Sequence, residues 1–386
     1  MATHEIVVLG GAYGGLAAAH DLVKKYIPLV KKATGKSFHL TMISMSSHFH
    51  FAVAAPRAVV DPSLIPFASL EVPIKEKIGL PQDLFTFVHA EVTSFDTASR
   101  TVHYTLLDDQ YNKGAETSIH YDSLFVTLGA RTRHPAFKLR GSHLQALSEM
   151  ENLNKQIQAA NSIVIAGGGP VAIETAGELG SKYGSSKSLT ILTNGPSLLN
   201  NVNPDIGTNA KFYLEKMGIH VGVNSKVTSA TKLESGQTRI EFGQGQSVDV
   251  DLYIDATGVI PNNEPIPTDL LTERGFLEVD AYQRATKAGP LVYGLGDIVG
   301  GWIQIAEIMF IKGVVFGNWA YEVSEGKVGK ETAWVTPKNN MMVVPIGTKK
   351  AVGTAFGWRL PSWVGWFLKG RDYMVGKAVG SVINGV

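Results

Sequence analysis

A short apolar strand, a glycine-rich turn and a helical stretch open this 386-residue chain, and the same series starts again near residue 162. Ile6–Leu9 leads into Gly10-Gly11-Ala12-Tyr13-Gly14-Gly15, and Leu16–Tyr26 carries apolar residues at helical spacing. Ser162–Ala166 leads into Gly167-Gly168-Gly169-Pro170, and Val171–Tyr183 is the helix that follows. In each case a helix N-terminus stands at the mouth of a strand, so free N–H groups and the positive end of the dipole face one point. Glycines there let the backbone approach a pyrophosphate closely. A lone turn of this kind is weak, since a purely structural loop looks the same. Two in one chain, each with a strand before and a helix after, make an α/β protein with two Rossmann-like dinucleotide-binding domains. A small α+β C-terminal segment completes the expected fold.

The first turn reads as G-x-G-x-x-G with Gly10, Ala12 and Gly15 in register, so alanine replaces the middle glycine; Gly11 and Gly14 flank it. The second has Gly167, Gly169 and Ala172 in the G-x-G-x-x-A form, with Glu174 two residues on. Neither second strand ends in the acidic residue expected to hold ribose hydroxyls. Phe38–Ser44 ends in Ser44, a weaker partner than a carboxylate. Leu189–Thr193 ends in Thr193, followed by Asn194. Either NADH or NADPH therefore suits the second turn.

Further signals lie downstream. Val292–Leu295 is a strand closed by Gly296 and Asp297, whose carboxylate would reach the ribityl chain of FAD; an Asp capping a helix is the competing reading. Thr127-Leu128-Gly129 and Ala256-Thr257-Gly258 mark where the chain leaves one domain for the other. Phe85–Val88, Val92–Phe95 and Thr101–Leu107 read as short strands of an antiparallel flap, with Val92 counted among the flavin-side positions. The expected division is residues 1–135 with 275–330 for FAD, 136–274 for NAD(P)H, and 331–386 for a C-terminal segment with an aromatic helix after Pro361.

The chain has no cysteine, which excludes a flavin–dithiol relay, structural disulfides and thiolate metal sites. Its net charge of +1 is too balanced for gripping a polyanion, so no nucleic acid partner is expected. The 11 histidines are scattered, and His48 with His50 form no recognised ligand set, so no metal is expected. The first residues run directly into a strand, without a secretory signal, and Ala2 rather than Gly excludes N-myristoylation. No run of about 18 apolar residues predicts a spanning helix. A cytoplasmic location follows as an expectation.

With these motifs the chain resembles the apoptosis-inducing-factor-like branch of the two-dinucleotide-binding-domain, glutathione-reductase-type flavoproteins, which includes ferroptosis suppressor protein and fungal relatives. Type II NADH dehydrogenases are a more distant likeness. The resemblance extends to Phe49-His50, Val53-Ala54-Ala55, Arg57-Ala58 and Lys369-Gly370-Arg371-Asp372. It implies bound FAD, reduction by NADH or NADPH, and two-electron transfer to a quinone or other small-molecule acceptor. It places Glu174 at the nicotinamide pocket and Lys369 near the flavin, where the ammonium could pair with Glu174 or stabilise negative charge on the ring. It puts Arg57 near the isoalloxazine or pyrophosphate, and His50 where a proton donor to quinone or a packed core histidine would stand. The helix from Gln304 would aim backbone N–H groups at the flavin pyrimidine. The Trp358–Lys369 stretch, with three tryptophans, fits an apolar acceptor tunnel, contact with a mitochondrial or lipid-droplet membrane, or core packing. An oxidase or dehydrogenase of a small metabolite and a non-enzymatic redox sensor are the alternatives.

Overall fold

The computed structural model describes residues 3–200, 202–300, 305–336, 341–355 and 357–385. The opening strand, Thr3–Leu9, lies inside a seven-stranded sheet, between Ser37–Ser44 and Ser123–Val126. Val292–Gly294 closes one edge, and all these neighbours pair in parallel. Ile6, Val7, Val8 and Leu9 are fully buried, as a strand covered on both faces requires. The order places a topological switch beside the opening strand, with a crevice beyond the carboxyl ends.

The expected flap is built differently. Phe85–Asp96 is one 12-residue strand that pairs in parallel with Ser37–Ser44 in its first half. Its second half pairs antiparallel with Thr101–Leu107, across a register shift between Val92 and Ser94. His89, Ala90 and Glu91 interrupt the apolar alternation, but they are where one strand passes from the parallel sheet to the hairpin. Lys113–His120 forms the far edge, nearly all exposed and polar, which suits a strand that must not pair further.

The second unit has a four-stranded parallel sheet in the order His220–Gly222, Ser188–Leu192, Ser162–Ala166, Leu252–Asp255. An antiparallel three-stranded sheet, Val227–Lys232, Thr238–Phe242 and Gln246–Val250, follows its turn chemistry. The C-terminal segment contributes Met342–Ile346, Lys350–Ala355 and Trp358–Arg359, then a short helix at Ser362–Gly365. That helix continues as a π-turn, Trp366–Gly370.

The C-terminal hairpin docks on the Pro170–Tyr183 helix through glycine. A Cβ on Gly177 would stand 2.6 Å from the Gly347 nitrogen and 2.8 Å from Ile346 Cα. Only a residue without a side chain permits that approach. Gly177→Val is expected to lower stability by about 1–3 kcal/mol in urea unfolding, the range for overpacked contacts.

Candidate cofactor and active site

Two cavities open beyond the carboxyl ends of the two parallel sheets. The first is lined by Gly10, Gly11, Ala12 and Tyr13, by Ser44, His50 and Val92, and by Lys138, Arg140 and Asn262. Ala12 is the N-cap of the Tyr13–Asp21 helix and makes no side-chain cap, so the first-turn N–H groups are left for a ligand. Gly10 has φ +109°, and a Cβ there would meet Thr127 O at 2.6 Å. A Cβ on Gly15 would lie 1.8 Å from Gly10 O, so this glycine lets helix and strand pack closely. Gly14 sits against Leu295 O, 3.2 Å from its constructed Cβ. The alanine in the middle position lines the cavity with no more than a methyl group, and the cradle remains open to a pyrophosphate.

Ser44 lines this cavity, but its hydroxyl donates to Ser46 O at 2.8 Å. Both ring nitrogens of His50 are engaged, Nδ1 with Glu71 at 2.5 Å and Nε2 with Phe137 O at 3.3 Å. Both nitrogens are thus committed to protein partners while the ring still lines the first cavity. Gly129 takes φ +66°, and Asn262 bridges to it, donating its N–H to Gly129 O at 3.0 Å and its amide to Leu128 O at 2.9 Å.

The second cavity is lined by Gly167, Gly168 and Gly169, by Thr193 and Asn194, and by Thr257 and Gly258. Gly167 has φ +130°, and its Cβ would meet Ala256 O at 2.4 Å; nothing lies within 4 Å of a Cβ on Gly169, so the middle of this cradle is clear. Gly169 caps the Pro170–Tyr183 helix without a side-chain bond, which again leaves its first N–H groups open. Ala172 is buried beneath the turn. Gly258 takes φ +118°. Arg133, Lys226 and Arg274 bring positive charge to the walls.

The cavities meet at an ion pair. Lys138 lines the first, Asp297 lines the second, and Lys138 Nζ donates to Asp297 Oδ2 at 2.6 Å. Gly296, at φ +85°, turns the chain to present that carboxylate. Lys138, Arg140 and Asn262 carry no motif of their own and were missed in sequence. The one available clue was the cluster of basic residues between Arg131 and Arg140, just after Thr127-Leu128-Gly129.

Glu174 and Lys369 come together across 195 residues, with Lys369 Nζ donating to Glu174 Oε1 at 2.5 Å. Glu174 is 3% exposed. Burial pushes its carboxyl up, and the Lys369 ammonium opposes the shift. Neither residue is among those lining the two cavities. Lys369 lies in the π-turn, a local distortion often found at functional positions.

Arg57 is placed elsewhere than expected. It lines neither cavity. Its guanidinium forms a bidentate pair with Glu178 at 3.0 and 2.8 Å, donates to Arg371 O at 2.9 Å and Gly347 O at 3.2 Å, and covers the Tyr373 ring. The nearest carboxylate captures it before any phosphate can. Gln304 lies outside the described residues. Among those described, no group of three acidic, histidine or cysteine residues could hold a metal ion.

A family model described as pyridine nucleotide-disulphide oxidoreductase matches residues 4–313. The chain belongs to that family. As a member it is a flavoprotein oxidoreductase, with FAD and a nicotinamide dinucleotide as its cofactors. The dithiol of the family's name has no counterpart here, because the chain contains no cysteine. The open helix N-termini and glycine cradles fit the two pyrophosphates. Oxidoreductase ptaL of Pestalotiopsis fici is 34% identical over 76% of this chain and 76% of its own length. Ferroptosis suppressor protein 1 of Xenopus tropicalis is 24% identical over 97% and 94%, which bears out the resemblance to that branch. The sulfide:quinone oxidoreductase of Aquifex aeolicus shares the fold at TM-score 0.71 and 16% identity, over 99% of this chain and 92% of that one.

Proposed function

We propose that this oxidoreductase is an NAD(P)H:quinone oxidoreductase working at a lipid surface. The observation that carries the reading is a set of exposed aromatics in the C-terminal segment, of which Phe367 shares the π-turn with Lys369. Trp358 is 80% exposed, Trp363 72% and Phe367 60%, while Trp366 is tied inward through a bond to Thr348 O. Such a set is unusual on a protein meant only for water, and it suits contact with headgroups and the lipophilic substrate dissolved among them. None of the three tryptophans lines either cavity, so surface contact is a better account of them than a tunnel. Among the described residues no helix is long and apolar enough to cross a membrane. The sulfide:quinone oxidoreductase that shares the fold has a quinone as its acceptor by name.

Bound FAD supplies hydride acceptance from the nicotinamide and two-electron delivery to the second substrate. The chain's own part is placement. The Ala12 and Gly169 helix ends hold the two pyrophosphates, and the Lys138–Asp297 pair orients polar groups where the cavities meet. Without thiols, the chain has no dithiol relay to place between flavin and acceptor. Buried Glu174 fixes Lys369 Nζ, which lies outside both cavities and would offer a positive charge and a proton to an acceptor approaching by the C-terminal turn. Lys369→Met should slow quinone reduction about tenfold with flavin content unchanged, a modest share of general-acid effects. Equal rates would reduce the pair to a structural role.

Anaerobic stopped-flow mixing tests the whole reading. The yellow protein is bleached with NADH or NADPH and then mixed with menadione or a short-chain ubiquinone. Reoxidation by a quinone faster than by dioxygen is expected; no quinone outpacing dioxygen would refute it.

A further inference from the structure

Ser44 stands where a carboxylate holds the adenosine ribose in the general dinucleotide fold, and its hydroxyl is committed to Ser46 O. A different set of groups converges on that end of the first cavity. The rings of His48 and His143 stack with centroids 3.7 Å apart and planes 29° from parallel, and both residues line the cavity beside Ser44. His143 starts the His143–Ala159 helix, and His48 starts the short strand His48–His50.

Tyr111 holds this pair from above. It sits at φ +65° in the turn between Thr101–Leu107 and Lys113–His120, a conformation that costs a non-glycine residue energy and so needs support. Asp108 gives it, accepting from the N–H groups of Gln110 and Asn112 at 2.9 and 2.8 Å and from the Asn112 amide at 2.8 Å. The Tyr111 hydroxyl lies 2.8 Å from His143 Nδ1 and 3.0 Å from Ser47 Oγ, and Ser47 Oγ lies 2.9 Å from His48 Nδ1.

Two opposite runs of protons satisfy all three contacts: His48 Nδ1–H to Ser47 Oγ, the Ser47 hydroxyl to the Tyr111 oxygen and the Tyr111 hydroxyl to His143 Nδ1, or every bond reversed. In either run one of the two Nε2 atoms is a lone-pair acceptor and the other an N–H donor. Neither Nε2 has a hydrogen-bond partner among the described residues. Burial lowers the proton affinity of both rings; Glu71 and Glu76 oppose it at His48, and at His143 the other two histidines, His48 and His89, reinforce it against Glu71.

We propose that His48 and His143 together replace the missing carboxylate, one accepting from and the other donating to the hydroxyls of the adenosine ribose of FAD. A hydroxyl both gives and takes a hydrogen bond, which this acceptor–donor pair matches and two carboxylate oxygens do not. The proposal rests on the flavin site described above and is independent of the electron acceptor.

The test is binding of flavin to apoprotein, followed by quenching of flavin fluorescence. The probes are FAD and an FAD analogue whose adenosine ribose lacks both hydroxyls. Wild-type protein is expected to bind the analogue about tenfold more weakly, the scale of one or two net hydrogen bonds. His143→Phe keeps the stacked ring and should bind both probes alike, at the weaker level. Tyr111→Phe leaves both imidazoles but cuts the proton run, and should narrow the difference. Wild-type protein that binds FAD and analogue equally would overturn the proposal. So would a His143→Phe or Tyr111→Phe protein that still discriminates as wild type does.

Discussion

Glu178→Ala should cost about 3–5 kcal/mol of unfolding free energy in denaturant titration, the range for stranding one partner of a buried ion pair. Arg57 is 2% exposed and Glu178 likewise. The carboxylate accepts two bonds from the guanidinium and one from the Tyr373 hydroxyl at 3.1 Å. Its removal leaves a fixed, buried positive charge without its directly bonded carboxylate, since arginine cannot shed its proton. Arg57→Met combined with Glu178→Leu should recover part of the loss, because a matched apolar pair needs no desolvation. Recovery falls short of complete, as the Gly347 and Arg371 carbonyls then lose their donor. A single variant that unfolds at the wild-type midpoint would show that the pair contributes nothing net.

Gly167→Val is expected to lower kcat/KM for NADH and NADPH about a hundredfold while the protein stays yellow, since a displacement near 1 Å at a binding turn costs about that much. The glycine holds φ +130°, and a side chain there would overlap Ala256 O, 2.4 Å from its first carbon. The turn must shift, and the Gly169 helix end moves with it. The Gly10–Gly15 turn, the proposed flavin cradle, belongs to the other sheet and should be untouched. Steady-state kinetics with flavin quantified by absorbance separates the outcomes. Loss of bound flavin in step with activity would show that the two cradles are not independent.

Much of this architecture was legible in the residues because glycine turns are local. A strand, a turn and a helix within about 30 residues carry their own signature, and finding it twice dictates two parallel sheets. The strand Phe85–Asp96 was harder. It serves two sheets in succession, so its apolar period changes midway and reads as two strands. Contacts over long separations were read only through family likeness. The Glu174–Lys369 pair was reached that way. Arg57 was not, since nothing in its neighbourhood announces a partner 121 residues away. The group of His48, Tyr111 and His143 joins a strand, a hairpin tip and a helix start, and no spacing rule links those positions. His48 was considered only as a metal ligand, because a stacked imidazole pair has no one-dimensional pattern.

The guanidinium of Arg57, on the Ala55–Val60 helix, touches the Pro170–Tyr183 helix and two carbonyls of the C-terminal segment. Three pieces of chain thus share a single keystone, and none can loosen without exposing it. Unfolding any one of the three therefore strips this arginine of its carboxylate or carbonyl partners, which links their stabilities.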